Sequence, residues 1–140
     1  MTRVMASGVF DILHTGHISY LEQAKAMGDE LYVVVACDET VRKRKHEPIT
    51  PEAMRLKIVS SLKVVDKAIL GNSGGDIYSI LDTVRPDIIV LGYDQTFVEN
   101  ELEEKLRSKG FDIKVKRANK SAEDLEATRK IVRKIRERSD

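Results

Sequence analysis

Short, continuously apolar runs recur along the chain and alternate with segments of helical spacing. The clearest run is residues 31–37, where β-branched side chains follow one another without a polar interruption. Such a run is typical of a strand that is buried on both faces, as in a parallel sheet. Four further strands are predicted, over residues 3–7, 67–70, 87–91 and 111–115.

Between these runs, apolar residues lie three or four positions apart, which predicts helices. The first helix is predicted over residues 17–27, and Gly28 suits the left-handed position that often ends a helix. A second helix is predicted to run to about residue 62, with Thr50 as its N-cap and Pro51 as its first residue. Residues 38–46 form a polar segment. Three more helices are predicted, over residues 77–84, 100–109 and 124–138.

The alternation of strands and helices predicts an α/β fold. We expect a Rossmann-like three-layer sandwich, a five-stranded parallel sheet with helices on both faces, forming one domain over residues 1–140. Ligands of such sheets bind outside the carboxyl ends of the strands. The functional residues are therefore expected in the segments that follow strands, at 8–17, 38–45 and 92–96.

Composition narrows the function. The 140 residues carry 24 Lys+Arg against 23 Asp+Glu, and this balance lacks the strong positive charge that drives nucleic-acid binding. A 41% hydrophobic share excludes a wholly disordered chain. A single cysteine cannot form an internal disulfide and fits a reducing compartment. The apolar run at 31–37 is too short to span a membrane. We expect a cytoplasmic protein with no nucleic-acid or membrane partner.

Two of the three histidines, His14 and His17, flank Gly16 directly after the first predicted strand. They fall at the predicted start of a helix, where unpaired N–H groups and the helix dipole favour phosphate. Glycine lets the backbone approach an anion, and imidazole donates hydrogen bonds. Neither histidine has a Cys or carboxylate partner at zinc-ligand spacing. Taken alone, the pair is equally compatible with one core histidine and one at a helix start.

The residues around this pair carry a longer motif. Residues 14–17 resemble the HxGH motif of the nucleotidyltransferase superfamily. Residues 8–17 read G-V-F-D-I-L-H-T-G-H, and together with L-x-x-A-K-x-x-G-D at 21–29 they resemble the cytidylyltransferase-like family. The phrases at 35–41, 65–71 and 86–95 are most similar to the archaeal FAD synthase group of that family.

This resemblance implies a reaction. A phosphorylated acceptor attacks the α-phosphate of a nucleoside triphosphate, pyrophosphate leaves, and no covalent enzyme intermediate forms. For the FAD synthase group the donor is ATP, the acceptor is FMN and the product is FAD. A divalent cation such as Mg²⁺ would bridge the triphosphate, held mainly by phosphate oxygens and water rather than by a set of protein ligands. The resemblance also implies a homodimer.

The resemblance assigns roles to individual residues. The catalytic residues are expected to be His14, His17 and Lys43, with Lys45 as an alternative lysine. The acceptor is expected to contact Asp11, Asp38 and Arg55. The nucleotide is expected to contact Val9, Phe10, His14, Thr15, Gly16, His17, Gly92, Asp94, Asn119 and Thr128.

Some of these side chains have a simpler interpretation. The lysines near residue 43 could form a solvated basic face, and Arg55 could be a surface charge on its helix. The final helix is expected to pack Leu125, Val132 and Ile135 inward and to hold its basic face in water. Cys37 is expected to be a small buried hydrophobe.

Two other functions stay open at this point. One is a CTP-dependent cytidylyltransferase acting on glycerol 3-phosphate or a related polyol or sugar phosphate. The other is a nucleotide-binding module without catalysis, against which the intact His14, Gly16 and His17 argue.

Overall fold

The computed structural model describes residues 1–44, 46–74, 76–120 and 128–138. Its strands are β1 (Arg3–Gly8), β2 (Glu30–Val35), β3 (Lys67–Leu70), β4 (Ile88–Leu91) and β5 (Lys114–Arg117). Its helices are α1 (Thr15–Ala26), α2 (Asp38–Arg44), α3 (Glu52–Ser60), α4 (Ile77–Val84), α5 (Glu99–Ser108) and α6 (Thr128–Arg138). None of the described helices combines the length and apolarity needed to cross a bilayer.

The strands form one parallel sheet in the order β3-β2-β1-β4-β5. The central strand β1 pairs with β2 along its whole length, from Arg3 opposite Glu30 to Gly8 opposite Val35. It pairs with β4 only as far as Ala6. After β1 the chain crosses to β2 on one side, and after β4 it crosses to β5 on the other side. Because these two connections leave in opposite directions, a crevice opens between β1 and β4 at their carboxyl ends.

Helices cover both faces of the sheet, which confirms the predicted three-layer α/β fold. Successive side chains of β1 point to opposite faces, so Ala6 and Met5 belong to different apolar clusters. On the first face the sheet packs against Leu21 of α1 and Val59 of α3. On the second face it packs against Leu81 of α4 and Leu106 of α5, among other residues.

Two elements differ from the sequence prediction. Residues 38–44 form helix α2, which was predicted only as a polar segment; among them only Val41 is buried, so no apolar period marks the helix. Strand β5 is Lys114–Arg117 and not 111–115. Its charged residues alternate with the buried Val115 at the sheet edge, whereas Phe111 packs against the core from outside the strand.

The predicted helix starts also need correction. Helix α1 begins at Thr15 and not at His17. Helix α3 begins at Glu52, its N-cap is Pro51, and no side chain caps it. The Thr50 hydroxyl, predicted as that cap, donates instead to a carboxylate of the site described below.

Gly28 is required for space and not for a left-handed backbone. Among the described glycines only Gly110 has a positive φ. A Cβ at Gly28 would lie 2.7 Å from Val4 Cγ2 and 2.8 Å from the Thr2 carbonyl oxygen. The glycine therefore lets the turn between α1 and β2 pass close to β1.

We expect Gly28→Ala to destabilise the protein by about 1–3 kcal/mol, because the added methyl group meets backbone that cannot move aside easily. The measurement is the midpoint of urea unfolding. Gly74→Ala is the matched control, since a Cβ there meets nothing within 4 Å. Equal midpoints for the two variants would contradict the packing argument.

Candidate active site

A cleft of about 840 Å³ opens at the carboxyl edge of the sheet, where β1 and β4 diverge. Residues from the end of β1, the start of α1, the 46–49 segment, the 92–95 turn and one face of α6 line it. The volume is in the range of small-molecule sites. Of the three segments in which the sequence analysis expected functional residues, 8–17 and 92–96 contribute to its wall, whereas residues 38–44 do not.

Tyr20 of α1 occupies the gap between the two diverging strands. Its hydroxyl donates to the Val90 carbonyl oxygen at 2.6 Å and accepts from the Ser7 N–H at 3.1 Å. Burial raises the pKa of Tyr20 far above its ordinary value, so the hydroxyl stays neutral. The side chain replaces the missing ladder bonds and holds the cleft floor. The sequence analysis did not identify this residue.

The two histidines cap α1 reciprocally. His14 is the N-cap, and its Nδ1 accepts from the Gly16 N–H at 3.1 Å. His17 reaches back, so that its Nδ1 accepts from the His14 N–H at 3.2 Å. Their rings stack with centroids 3.8 Å apart. This arrangement is a capping box, usually built from Ser or Thr and from Glu or Gln three positions later.

The cap decides which ring atom can donate. Because both Nδ1 atoms accept from backbone amides, the neutral rings carry their proton on Nε2. Both rings line the cleft beside the N-terminus of α1, whose amides and dipole favour anions. The donors of His14, Gly16 and His17 thus point to one place where an anion such as a phosphoryl group would be stabilised, and we call this set of residues the anion-binding corner.

The loop leading into this corner has an unusual backbone. Phe10 and Ile12 have φ values of 57° and 53°, a left-handed conformation that is rare for non-glycine residues and most costly for a β-branched one. Asp11 between them clamps the loop. Its carboxylate accepts from the Ile49 N–H at 2.8 Å, from the Thr50 N–H at 2.9 Å and from Thr50 Oγ1 at 2.6 Å.

These contacts change the ionisation of Asp11. Burial raises the pKa of its carboxyl, but the hydrogen bonds from Thr50 Oγ1 and from the Ile49 and Thr50 amides outweigh burial, helped by the charge of Arg55. The net effect is a pKa below the ordinary value. Asp11, predicted to contact the acceptor, lines the cleft and also holds its loop.

A depressed carboxyl pKa stabilises the fold above about pH 4 and loses that contribution as pH falls through the folded-state pKa. We expect Thr50→Val, which removes one donor to Asp11, to lower the urea midpoint at pH 7. The difference from the parent protein should shrink as the carboxyl is protonated. Thr83→Val is the control, because Thr83 bonds only within α4. A difference that does not vary with pH would contradict this role.

Among the residues that the structure describes, Arg55 is the largest fully buried side chain, only 1% exposed. Its guanidinium donates to the carbonyl oxygens of Thr50, Val9 and Ala36 at 2.9, 2.8 and 2.7 Å, and to Asp38 Oδ1 at 2.6 Å. The surface-charge interpretation is therefore wrong. The structure brings neither Arg55 nor Asp38 to the cleft wall. Arg55 joins the segments that follow β1 and β2.

The pKa of Asp38 reflects the same contact. Burial raises it, but the hydrogen bond from Arg55 and the neighbouring amide of Glu52 outweigh burial and lower it. The ion pair is thus fully charged at neutral pH.

Arg117, at the end of β5, holds the turn that follows β4. Its guanidinium donates to the carbonyl oxygens of Gly92 and Gln95 at 2.9 and 2.8 Å, and to that of Phe97. It also pairs with Glu99 at 2.7 Å and lowers the pKa of that carboxyl. The sequence analysis missed this residue, since nothing local signals contacts so far along the chain.

The same turn carries predicted nucleotide contacts. Gly92 and Asp94 line the cleft, and the Gly92 N–H donates to Gln95 Oε1 at 2.9 Å. Asn119 also lines it, and its backbone is fixed to α1 by two hydrogen bonds with the Gln23 side chain, at 2.8 and 3.1 Å.

The cleft brings most predicted site residues together. Those that line it are Val9, Phe10, Asp11, His14, Gly16, His17, Gly92, Asp94, Asn119 and Thr128. Thr15 and Lys43 do not line it. Lys43 is exposed and pairs with Glu39 at 3.1 Å on the surface of α2. Lys45 lies outside the described residues.

Helix α6 departs from its prediction. It was expected to pack Val132 and Ile135 inward with its basic face in water, but Ile135 is 60% exposed. Val132 and three arginines line the cleft instead, and Thr128 Oγ1 donates to the Asp11 carbonyl oxygen at 2.6 Å. Leu125 and the predicted helical residues 124–127 lie outside the described residues.

The cleft offers few metal ligands. In the described part of the chain, no three His, Cys, Asp or Glu residues are close enough to hold an ion together. The carboxylates on the wall are Asp11, Glu47 and Asp94. The Asp11 carboxylate already accepts hydrogen bonds from Ile49 and Thr50. Cys37 is buried as predicted, 3.2 Å from Thr40 Oγ1.

Several known proteins are similar in sequence to this chain over its full length. An FAD synthase of Aciduliprofundum boonei is 55% identical over 141 residues, covering 100% of this chain and 94% of that protein. An FAD synthase of Methanohalophilus mahii is 52% identical over 139 residues, covering 99% and 96%. Both similarities span the complete site.

Solved structures share the fold. A Thermoplasma volcanium protein described as a lipopolysaccharide core biosynthesis protein is 54% identical with a TM-score of 0.83, covering 86% of this chain and 98% of that one. A pantothenate synthetase of Thermus thermophilus, 11% identical with a TM-score of 0.60, covers 84% and 55% and shows the fold alone. The model of the cytidylyltransferase-like family matches residues 5–137. The chain belongs to the cytidylyltransferase-like family.

Proposed function

We propose that this protein is an FAD synthase, which transfers AMP from ATP to FMN and releases pyrophosphate. The reciprocal histidine cap at the start of α1 carries the chemical part of this proposal, because it builds a phosphate site at the crevice of the sheet. The full-length similarity to FAD synthases supports the choice of donor and acceptor.

The transfer needs no covalent enzyme intermediate. A phosphate oxygen of FMN attacks the α-phosphorus of ATP and forms the new P–O bond. The bond between that phosphorus and the oxygen bridging to the β-phosphate breaks, and its electrons leave with pyrophosphate. Catalysis in such a displacement consists of positioning the two phosphates and stabilising the charge that develops on their oxygens.

The anion-binding corner supplies that stabilisation. The Nε2–H groups of His14 and His17 and the first amides of α1 donate to oxygens of the triphosphate. The cap holds both rings in place before the substrate binds, so little reorganisation is needed during the reaction. The hydrogen bonds of Asp11 hold the left-handed backbone of the loop that leads into this corner.

The nucleoside is assigned to the other wall of the crevice. Gly92, Asp94 and Asn119 line it there, on a turn that Arg117 fixes and on a segment bonded to α1. A rigid turn can distinguish a nucleobase because its backbone groups keep fixed positions. The preference for ATP over CTP is assigned to these residues.

A divalent cation such as Mg²⁺ fits this cleft as a companion of the triphosphate, where it would neutralise phosphate charge. The donor set suits that role, because the wall offers scattered carboxylates and not a cluster. Mg²⁺ commonly keeps several waters and binds substrate phosphates with one or two carboxylates. Asp94 and Glu47 are the carboxylates that could reach it.

The alternative is a cytidylyltransferase for a polyol or sugar phosphate. The test combines ATP or CTP with FMN or glycerol 3-phosphate in the presence of Mg²⁺, and follows pyrophosphate and FAD. We expect FAD and equal pyrophosphate from ATP and FMN, and no pyrophosphate when riboflavin replaces FMN. Turnover with CTP and glycerol 3-phosphate alone would refute the proposal, and nucleotide binding without any turnover would indicate a non-catalytic module.

A further inference from the structure

One face of α6 turns a row of cationic side chains toward the cleft. Arg129, Val132, Arg133 and Arg136 all line it. Their spacing of three, four and seven positions places them on a single face of a helix. The remaining basic residues of α6, among them Lys134 and Arg138, do not line the cleft.

Two of the three arginines on this face have no acidic partner in the described part of the chain. Within the described ranges, the guanidiniums of Arg129 and Arg133 form no ion pair and no hydrogen bond. Arginine is well suited to phosphate, because its planar guanidinium donates two parallel hydrogen bonds. Cationic side chains held together on a cleft wall indicate an anionic ligand.

The reaction brings two anionic groups into this cleft. The corner formed by His14, Gly16 and His17 is one anion site, built on the start of α1. An acceptor phosphomonoester carries a further charge of about −1.5 to −2 at neutral pH, which repels the triphosphate. A second cationic site is needed to hold that group beside the first.

Apolar side chains that line the same cleft bear on which anion fits. Val132 lies on the same face of α6, and Ile49, which is 59% exposed, also lines the cleft. The nucleoside of ATP is assigned above to Gly92, Asp94 and Asn119, so these apolar side chains are left for the second ligand. A phosphomonoester carried on a large aromatic ring uses both the guanidiniums and the apolar contacts.

We propose that the α6 face formed by Arg129, Val132, Arg133 and Arg136 is the acceptor subsite. Its guanidiniums bind the phosphate of FMN, while Val132 and Ile49 contact the flavin ring. The subsite rests on the function proposed above. It replaces Asp38 and Arg55, which the structure does not bring to the cleft wall, as the source of acceptor recognition. The hydrogen bond from Thr128 Oγ1 to the Asp11 carbonyl oxygen fixes the start of α6 to the loop that leads into the anion-binding corner.

The test uses Arg129→Gln and Arg133→Gln, which remove charge from exposed positions and should leave the fold intact. We expect the KM for FMN and its dissociation constant, measured by flavin fluorescence, to rise by a factor of about 10 to 100. The KM for ATP should stay unchanged. Riboflavin, which lacks the phosphate, should inhibit parent and variants equally. Val132→Ser should weaken binding of both flavins.

Lys134→Gln and Arg138→Gln are the matched controls, since they remove one charge each from the same helix away from the cleft. Both should keep the parental KM for FMN. A rise in the KM for ATP or in the inhibition constant of pyrophosphate, with FMN binding unchanged, would assign the arginines to the triphosphate and overturn the proposal. Unchanged constants for both substrates would overturn it as well.

The parent protein separates this proposal from the proposed function. If the parent makes no FAD from ATP and FMN, the function is wrong. If it makes FAD and the arginine variants retain normal FMN binding, the function stands and the subsite is wrong.

Discussion

Replacing His14 or His17 with alanine is expected to lower kcat for FAD formation by about 10²–10⁴-fold, because each removes an Nε2 donor from the transferring phosphates. The measurement is the rate of pyrophosphate release at saturating ATP and FMN. A thermal melt of each variant shows whether the fold survives.

Alanine also removes the helix cap, so a second pair of variants separates capping from chemistry. His14→Asn keeps an acceptor at the N-cap, and His17→Gln keeps the reciprocal acceptor three positions later. We expect both to recover the melting temperature of the parent protein while activity stays low. Near-parental turnover in either of them would contradict the role assigned to the imidazole donors.

Replacing Arg55 with methionine is expected to destabilise the protein by about 3–5 kcal/mol, because it removes a buried guanidinium that makes four hydrogen bonds. The partly exposed Asp38 carboxylate loses its partner. Three backbone carbonyl oxygens also lose their donor. For a chain of this size the melting temperature should fall by roughly 10–20 °C.

Two controls sharpen that result. Lys57→Met removes a cation from an exposed position of the same helix and should have little effect. Arg55→Lys should rescue only part of the stability, because a single ammonium group cannot make all the hydrogen bonds that the planar guanidinium makes to Thr50, Val9, Ala36 and Asp38. If Arg55→Met unfolds at the same temperature as Lys57→Met, Arg55 does not join the loops as described.

The sequence predicts the sheet and the place of His14, Gly16 and His17 at the start of α1, because both depend on local patterns. The apolar run at 31–37 reflects burial on both faces, and the spacing of His14, Gly16 and His17 is a short-range signal. The same spacing also encodes a helix cap, but histidine is not among the residues usually recognised there. Helix α2 escaped detection because only Val41 is buried.

The supporting contacts of the site could not be predicted from local patterns. Arg55 and Arg117 act on backbone carbonyls tens of residues away, and a carbonyl leaves no trace in the sequence. The charge pattern of α6 likewise could not show that its arginine face borders the cleft. That fact depends on where α6 packs, which is decided by the tertiary fold.

The hydrogen bond from Thr128 to Asp11 affects the order in which the protein folds during its synthesis. It joins residues 117 positions apart, so almost the whole described chain must be synthesised before it can form. Contacts of such long sequence separation close late, after the local structure that they tie together. The nascent chain on the ribosome can therefore bury its central strands early, yet its cleft is complete only when α6 emerges and docks.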